Sequence, residues 1–219
     1  MIKVVIFDFD GVLADSNEAW ADIFDRASKA AGVKKNITYD DIKEHYGKPY
    51  TEIFRNAHPK LKDGDVLELM YKNFIELATS DEFADSLTTF RGLKNTLGKL
   101  KKRRWLAVGS GNSKHLLNRF LSKLGLSKYF DLVVSSDDVK KGKPNPEMLL
   151  KIIKHFHVTP KEALYVGDST SDIIAAKRAK MKSVAVLTGA LSEKQAEKLK
   201  PDFIVKDATQ LQEVLSCMR

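Results

Sequence analysis

From Leu93 onward, short β-branched runs alternate with segments whose apolar residues recur every three or four positions, and few folds accept that rhythm. The spacing predicts helices near Leu93–Lys101, Lys114–Leu124, Pro146–Phe156, Asp172–Ala179, Glu193–Lys198 and Ala208–Leu215. Between them it predicts strands at Trp105–Gly109, Phe130–Ser135, Ala163–Gly167, Ser183–Leu187 and Asp202–Val205. Strands separated by single helices require right-handed crossovers, so the class expected is α/β with a mainly parallel sheet. Lys3–Phe9, almost wholly β-branched and aromatic, suits a strand buried on both faces and starts that sheet.

Between Ser16 and Phe90 the rhythm stops. Trp20, Ile23, Phe24, Ala27 and Ala31, then Val66, Met70, Phe74 and Leu77, fall at helical spacing instead. An excursion of ~70 residues is too long for a loop in a compact domain. It predicts a small helical domain at 16–89, inserted between the core segments 1–15 and 90–219 and packed over the end of the sheet. The length of 219 residues accommodates a full core with one such elaboration. Charged residues at 30% and hydrophobic ones at 43% exclude disorder, and no uncharged apolar stretch approaches the ~18 residues of a membrane span. A lone Cys217 cannot form an internal disulfide, and the apolar run at the start is too short for a signal peptide, so a cytoplasmic address is expected.

The net charge of +8 is compatible with nucleic acid, an anionic membrane or a small anionic substrate. Its distribution discriminates. Lys34-Lys35, Lys101–Arg104, Lys140–Lys143 and Lys194–Lys200 fall where helix ends and solvated faces are expected. Zinc-finger spacing, RNA-binding aromatic motifs and basic-region heptads are missing from the sequence. No nucleic-acid or membrane partner is expected; a small anionic molecule remains, bound by a monomer or weak homodimer.

In an open parallel sheet the ligand lies outside the carboxyl ends of the strands, and four of these ends are unusual. The first runs into Asp8-Phe9-Asp10-Gly11, whose carboxylates, two residues apart, are expected to be aimed the same way by the pleat. Their repulsion calls for a divalent cation or a raised pKa. A second ends in Gly167-Asp168-Ser169-Thr170-Ser171-Asp172, with Asp172 in the first turn of the next helix, where it also suits the helix dipole. Mg²⁺ prefers six oxygens, including one or two carboxylates, which Asp8, Asp168 and the Asp10 carbonyl would supply. A third end, Gly109-Ser110-Gly111-Asn112, opens a helix near Ser113; its amides and the Ser110 hydroxyl suit phosphate oxygens, although the same residues also make ordinary caps. In Lys141-Gly142-Lys143-Pro144-Asn145-Pro146, Pro144 biases Lys143 to an extended backbone, while Asn145 and Pro146 read as N-cap and first helical residue.

Asp8-Phe9-Asp10-Gly11-Val12-Leu13-Ala14-Asp15-Ser16, Ser110, Lys143 and Gly167-Asp168 followed by Asp172 closely resemble the four motifs of the haloacid dehalogenase-like hydrolase superfamily. The resemblance implies a Rossmann-like core, and the insertion looks like that superfamily's helical cap. It also implies Asp8 as the nucleophile forming an aspartyl-phosphate, Asp10 as acid and then base, and Lys143 as the cation beside both Asp8 and the phosphate. Gly11, Ser110, Gly111, Asn112 and Lys143 would hold the phosphate. Asp8, Asp10, Asp168 and Asp172 would form the Mg²⁺ site, Asp172 at its edge. Gly167-Asp168 resembles the phosphatase form, where sugar-phosphate mutases usually carry Glu-Asp, and Trp20 stands where those mutases have histidine. Val12, where related phosphatases commonly have threonine, is shared with many mutases. Dehalogenases lack the second aspartate. The function implied is a Mg²⁺-dependent phosphatase acting on a small anionic phosphomonoester, similar to phosphoglycolate phosphatases, with a β-phosphoglucomutase-type mutase, a pyrophosphatase and a non-catalytic nucleic-acid-associated protein as alternatives. Tyr46-Gly47-Lys48-Pro49-Tyr50 resembles the cap loop that reaches toward substrate; Gly47, Lys48 and Arg55 are the substrate-binding candidates. His45 and His58 are expected at the surface.

Overall fold

A computed structural model describes residues 1–45 and 50–218. Six strands, β1 (Val4–Phe7), β2 (Trp105–Gly109), β3 (Leu132–Val134), β4 (Ala163–Gly167), β5 (Lys182–Val186) and β6 (Phe203–Val205), form one sheet in the order β3-β2-β1-β4-β5-β6. Every neighbouring pair is parallel, as single-helix crossovers demand. β1 is central and wholly buried, consistent with its uninterrupted apolar run. The chain adds β2 and β3 on one side of β1, then crosses to the other for β4 to β6, so the order reverses between β1 and β4. That reversal opens the crevice in which such sheets bind ligands. Phe7 lies beside Val108 and Val166, so Asp8, Ser110 and Asp168 emerge at the same end of the sheet.

The elements differ from the sequence reading mainly at their ends. β1 stops at Phe7, because the chain turns at once: Leu13 and Ala14 both return their amides to the Phe9 carbonyl. The helix read from Asp172 begins at Thr170, with Ser169 as its N-cap. That read from Pro146 begins at Glu147, with Pro146 as the cap. The last helix is split into a 3₁₀ turn, Ala208–Gln210, and an α-helix, Leu211–Cys217.

The chain divides into two compact units, Met1–Asp15 with Thr89–Arg219, and Ser16–Thr88. The second is helical. Its helices Asn17–Ala30, Tyr50–Ala57 and Gly64–Ala78 share an aromatic core, with Phe24 4.5 Å from Phe74 and 4.8 Å from Phe54 between ring centroids. Trp20 is buried there, 4.6 Å from Phe83. The Asp63 carboxylate caps Gly64–Ala78 by accepting from the amides of Asp65 and Val66. His58 is buried in the same unit, against the expectation of a surface position. Its amide donates to the Phe54 carbonyl, so the ring continues the face of Phe54 and Ala57, where Nε2 meets Ser28 Oγ at 3.1 Å. Burial, with help from the Lys35 charge, lowers its pKa. His45 is half-buried. No helix among the described residues is long and apolar enough to cross a membrane.

Candidate active site

The end of β1 delivers Asp8 into a buried position, its amide donating to the Val166 carbonyl of β4 at 2.9 Å. Beside it the tight turn through Gly11, at φ +68°, is tied down by the Gly11 amide on the Ala14 carbonyl and by Thr188 Oγ1 on the Gly11 carbonyl. The Gly11 amide, expected among the phosphate ligands, is thus engaged within the turn. A Cβ at Gly11 would lie 2.6 Å from Asp168 Oδ2.

Asp8, Asp168 and Asp172 each present an oxygen, and these oxygens lie within 4.8 Å of one another. Lys143 Nζ bridges two of the three, at 2.8 Å from Asp8 Oδ2 and 2.7 Å from Asp172 Oδ1. Residues 141–146 form the turn that carries Lys143 inward, with a cis Lys143-Pro144 peptide and Asn145 Oδ1 accepting from the Glu147 amide. Asp172 uses both oxygens. Oδ1 receives Lys143 and the Tyr165 hydroxyl, while Oδ2 receives the Ser169 hydroxyl and the amides of Asp168 and Ser169. It therefore serves as capping residue and lysine anchor at once.

Asp10 stands apart from this acidic group. Because β1 has already ended, the pleat does not align its carboxylate with that of Asp8; instead Oδ2 accepts from Asn112 Nδ2 at 2.7 Å. Asn112, expected among the phosphate ligands, thus directs its side chain at Asp10, and its amide donates to Ser110 Oγ. Ser110 is buried at the end of β2 with its amide on the Val134 carbonyl, whereas Gly111 is exposed before the helix Lys114–Lys123. Arg55 is exposed on the helix Tyr50–Ala57; Gly47 and Lys48 lie outside the described residues.

Three carboxylates against one ammonium in a buried site leave an electrostatic imbalance. Burial pushes Asp8 up to about 7, an effect reduced by Lys143 and reinforced by Asp172 and Asp10. Asp168 rises well above the carboxylate range, through burial and then through Asp172 and Asp8. Burial works against the charged form of Asp172 too, but Lys143 and the hydrogen bonds to its oxygens outweigh it and lower its pKa. The Lys143 ammonium is likewise opposed by burial and held by the two carboxylates, which raise its pKa.

Sequence reasoning passed over two contributors. Tyr165 on β4 reads as an ordinary core residue, yet its hydroxyl lies 3.1 Å from Lys143 Nζ. The segment Thr188-Gly189-Ala190 after β5 carried no expectation, yet the Ala190 amide donates to Asp168 Oδ2 at 2.9 Å and Gly189 lies against that carboxylate. A Thr-Gly-Ala run at a strand's carboxyl end was the available signal.

The model of the haloacid dehalogenase-like hydrolase family matches residues 5–186. A protein named pyrophosphatase PpaX from Oceanobacillus iheyensis is 27% identical, over 94% of this chain and 93% of that one. A phosphoglycolate phosphatase from Aquifex aeolicus is 29% identical over 86% of each. The crystal structure of a HAD-superfamily hydrolase, subfamily IA, variant 1, from Geobacter sulfurreducens superposes with a TM-score of 0.73 at 26% identity, covering 98% of this chain and 96% of that one. With the acidic group at the sheet's reversal point and a family match that runs from β1 through β5, this chain belongs to the haloacid dehalogenase-like hydrolases.

Proposed function

We propose that the chain is a Mg²⁺-dependent phosphatase that hydrolyses a small anionic phosphomonoester through an aspartyl-phosphate on Asp8. The reading rests on one arrangement, the buried Asp8–Lys143–Asp172 chain beside Asp168 at the carboxyl ends of β1 and β4. The donors fit magnesium: they are hard oxygens, their negative charge exceeds that of Lys143, and the raised Asp8 and Asp168 pKa values mark a place that favours added positive charge. Asp8 and Asp168, with the Asp10 carbonyl, would hold the ion; Asp172, occupied by Lys143, supports from outside. Bound Mg²⁺ supplies compensation for the negative oxygens of the phosphoryl group.

The chain's own groups account for the remaining chemistry. Asp8 attacks phosphorus in line, forming an O–P bond as the bond to the leaving oxygen breaks. Lys143 steadies the carboxylate before attack and the equatorial oxygens during it. Asp10 gives its proton to the leaving oxygen and later takes one from the water that hydrolyses the aspartyl-phosphate. Asn112 aims the Asp10 carboxyl through its amide hydrogen bond. Ser110 and the Gly111 amide hold the phosphoryl oxygens. The helical unit, Ser16–Thr88, would act as cap and select the ester, with Gly47, Lys48 and Arg55 as candidate contacts to a second anionic group.

A pyrophosphatase reading is favoured by the name of the Oceanobacillus relative. A panel of phosphate esters and pyrophosphate, assayed with and without Mg²⁺, tests both. The phosphatase reading expects Mg²⁺-dependent phosphate release from p-nitrophenyl phosphate and from at least one small anionic ester. No release from any ester would overturn it, and pyrophosphate outpacing every monoester would select the alternative.

Protons on Asp8 and Asp168 compete with a metal ion, so metal binding should release them. The rise in melting temperature produced by saturating Mg²⁺ is therefore expected to be larger at pH 8 than at pH 5, and differential scanning fluorimetry across that interval measures it.

A further inference from the structure

We infer that the Tyr165 hydroxyl is a positioning group for the reaction, holding the Lys143 ammonium in the orientation that serves Asp8. The inference extends the phosphatase reading above and rests on it.

An ammonium has three protons, and Lys143 Nζ has three acceptors at hydrogen-bond distance: Asp8 Oδ2 at 2.8 Å, Asp172 Oδ1 at 2.7 Å and the Tyr165 oxygen at 3.1 Å. The phenol in turn donates to Asp172 Oδ1 at 2.8 Å, with the Gly109 carbonyl at 3.3 Å as a second acceptor. Tyr165 is 0% exposed, and its ring belongs to the core cluster that includes Ile6, Met148 and Ile152. Phenylalanine would fill that volume without burying an oxygen, whose desolvation is unfavourable unless it is hydrogen-bonded. Packing accounts for the ring; the lysine and Asp172 account for the hydroxyl.

Local geometry makes the contact possible. Tyr165 and Gly167 share a face of β4, and a Cβ at Gly167 would lie 2.3 Å from Asp172 Cβ. The bare glycine lets Asp172 lie back over the strand, where its carboxylate meets both the phenol and Lys143. When Asp8 becomes an aspartyl-phosphate, Lys143 exchanges one carboxylate for the phosphoryl oxygens as its partner, while Asp172 holds it from the other side at 2.7 Å. The phenol oxygen takes the third ammonium proton and keeps Nζ from turning.

The test is Tyr165→Phe in the full chain, read in three ways. Turnover of p-nitrophenyl phosphate should fall about tenfold, with KM changed less than about twofold, because the contact orients a charged group in the transition state. The slowly exchanging ¹⁵N signal of the buried Lys143 ammonium, assigned by its loss in Lys143→Gln, should shift or broaden. Melting temperature should fall by no more than about 8 °C, the equivalent of two hydrogen bonds of about 1 kcal/mol each. An unchanged kcat, an unchanged ammonium signal, or a loss appearing equally in KM would each overturn the inference. If Tyr165→Phe does not fold, 4-fluorophenylalanine at position 165 keeps the size of the para group while removing its hydrogen bonds, and is read against the same criteria. Failure of the phosphatase reading shows separately, as no turnover by the unsubstituted chain, and the ammonium signal needs no turnover.

Discussion

Asp8→Asn is expected to lower phosphate release by at least about a thousandfold while making the metal-free protein more stable at alkaline pH. In the proposed mechanism Asp8 is the nucleophile, and an amide oxygen in its place cannot form the aspartyl-phosphate. The gain in stability follows from linkage. The Asp8 pKa is about 7 in the folded chain against an ordinary 3.8, so the folded state binds that proton more tightly than the unfolded one. The stabilisation this gives is complete below about pH 4 and disappears as pH rises through 7; above 7, the ionised carboxylate in its buried site opposes folding. Asparagine carries no such charge. Melting curves in chelator should therefore place the variant above the wild type at pH 8 and converge with it at pH 4. A variant that is both inactive and less stable at pH 8 would contradict the electrostatic account of the site.

Gly189→Ala should weaken Mg²⁺ binding by about ten- to a hundredfold, the range typical when the support of a metal ligand is disturbed. The obstacle is space: a Cβ at position 189 would lie 1.8 Å from Asp168 Oδ2 and 2.3 Å from its Cγ. Gly11 packs against the same carboxylate, a Cβ there lying 2.6 Å from Asp168 Oδ2 and 3.0 Å from Gly189 Cα, so the space around Asp168 Oδ2 is tight at both glycines. The Ala190 amide, which donates to Asp168 Oδ2, would be displaced along with the loop. Titration calorimetry with MgCl₂ measures the loss directly. Gly64→Ala, where an added Cβ meets nothing within 4 Å, is the control and should bind as the wild type does. Equal affinity in Gly189→Ala would show that Asp168 is not held by this strap.

The aspartates at the strand ends were legible because each interrupts or terminates an apolar run that has no local need of a charge. Asp8 follows Val-Val-Ile-Phe, and Asp168 follows Leu-Tyr-Val-Gly. Lys143 was legible through Pro144 and Pro146, which restrict the backbone immediately after it. Tyr165, by contrast, looks like any aromatic in a buried strand, and its hydroxyl acquires a role only when Asp172 folds back over Gly167. His58, expected at the surface because it has no metal-like partner spacing, is buried because its amide continues onto the Phe54 carbonyl and its ring meets Ser28.

The alternation of periods along this chain determined by itself that the sheet would be parallel and that a helical unit would interrupt it after β1, because side-chain periodicity is a local property written in consecutive residues. Which carboxylates come together, which one anchors the lysine and which one meets Asn112 were decided only by tertiary structure. Those outcomes depend on contacts between segments far apart in sequence, 102 residues for Asn112 on Asp10 and 29 for Lys143 on Asp172, and no spacing rule along the chain encodes such distances.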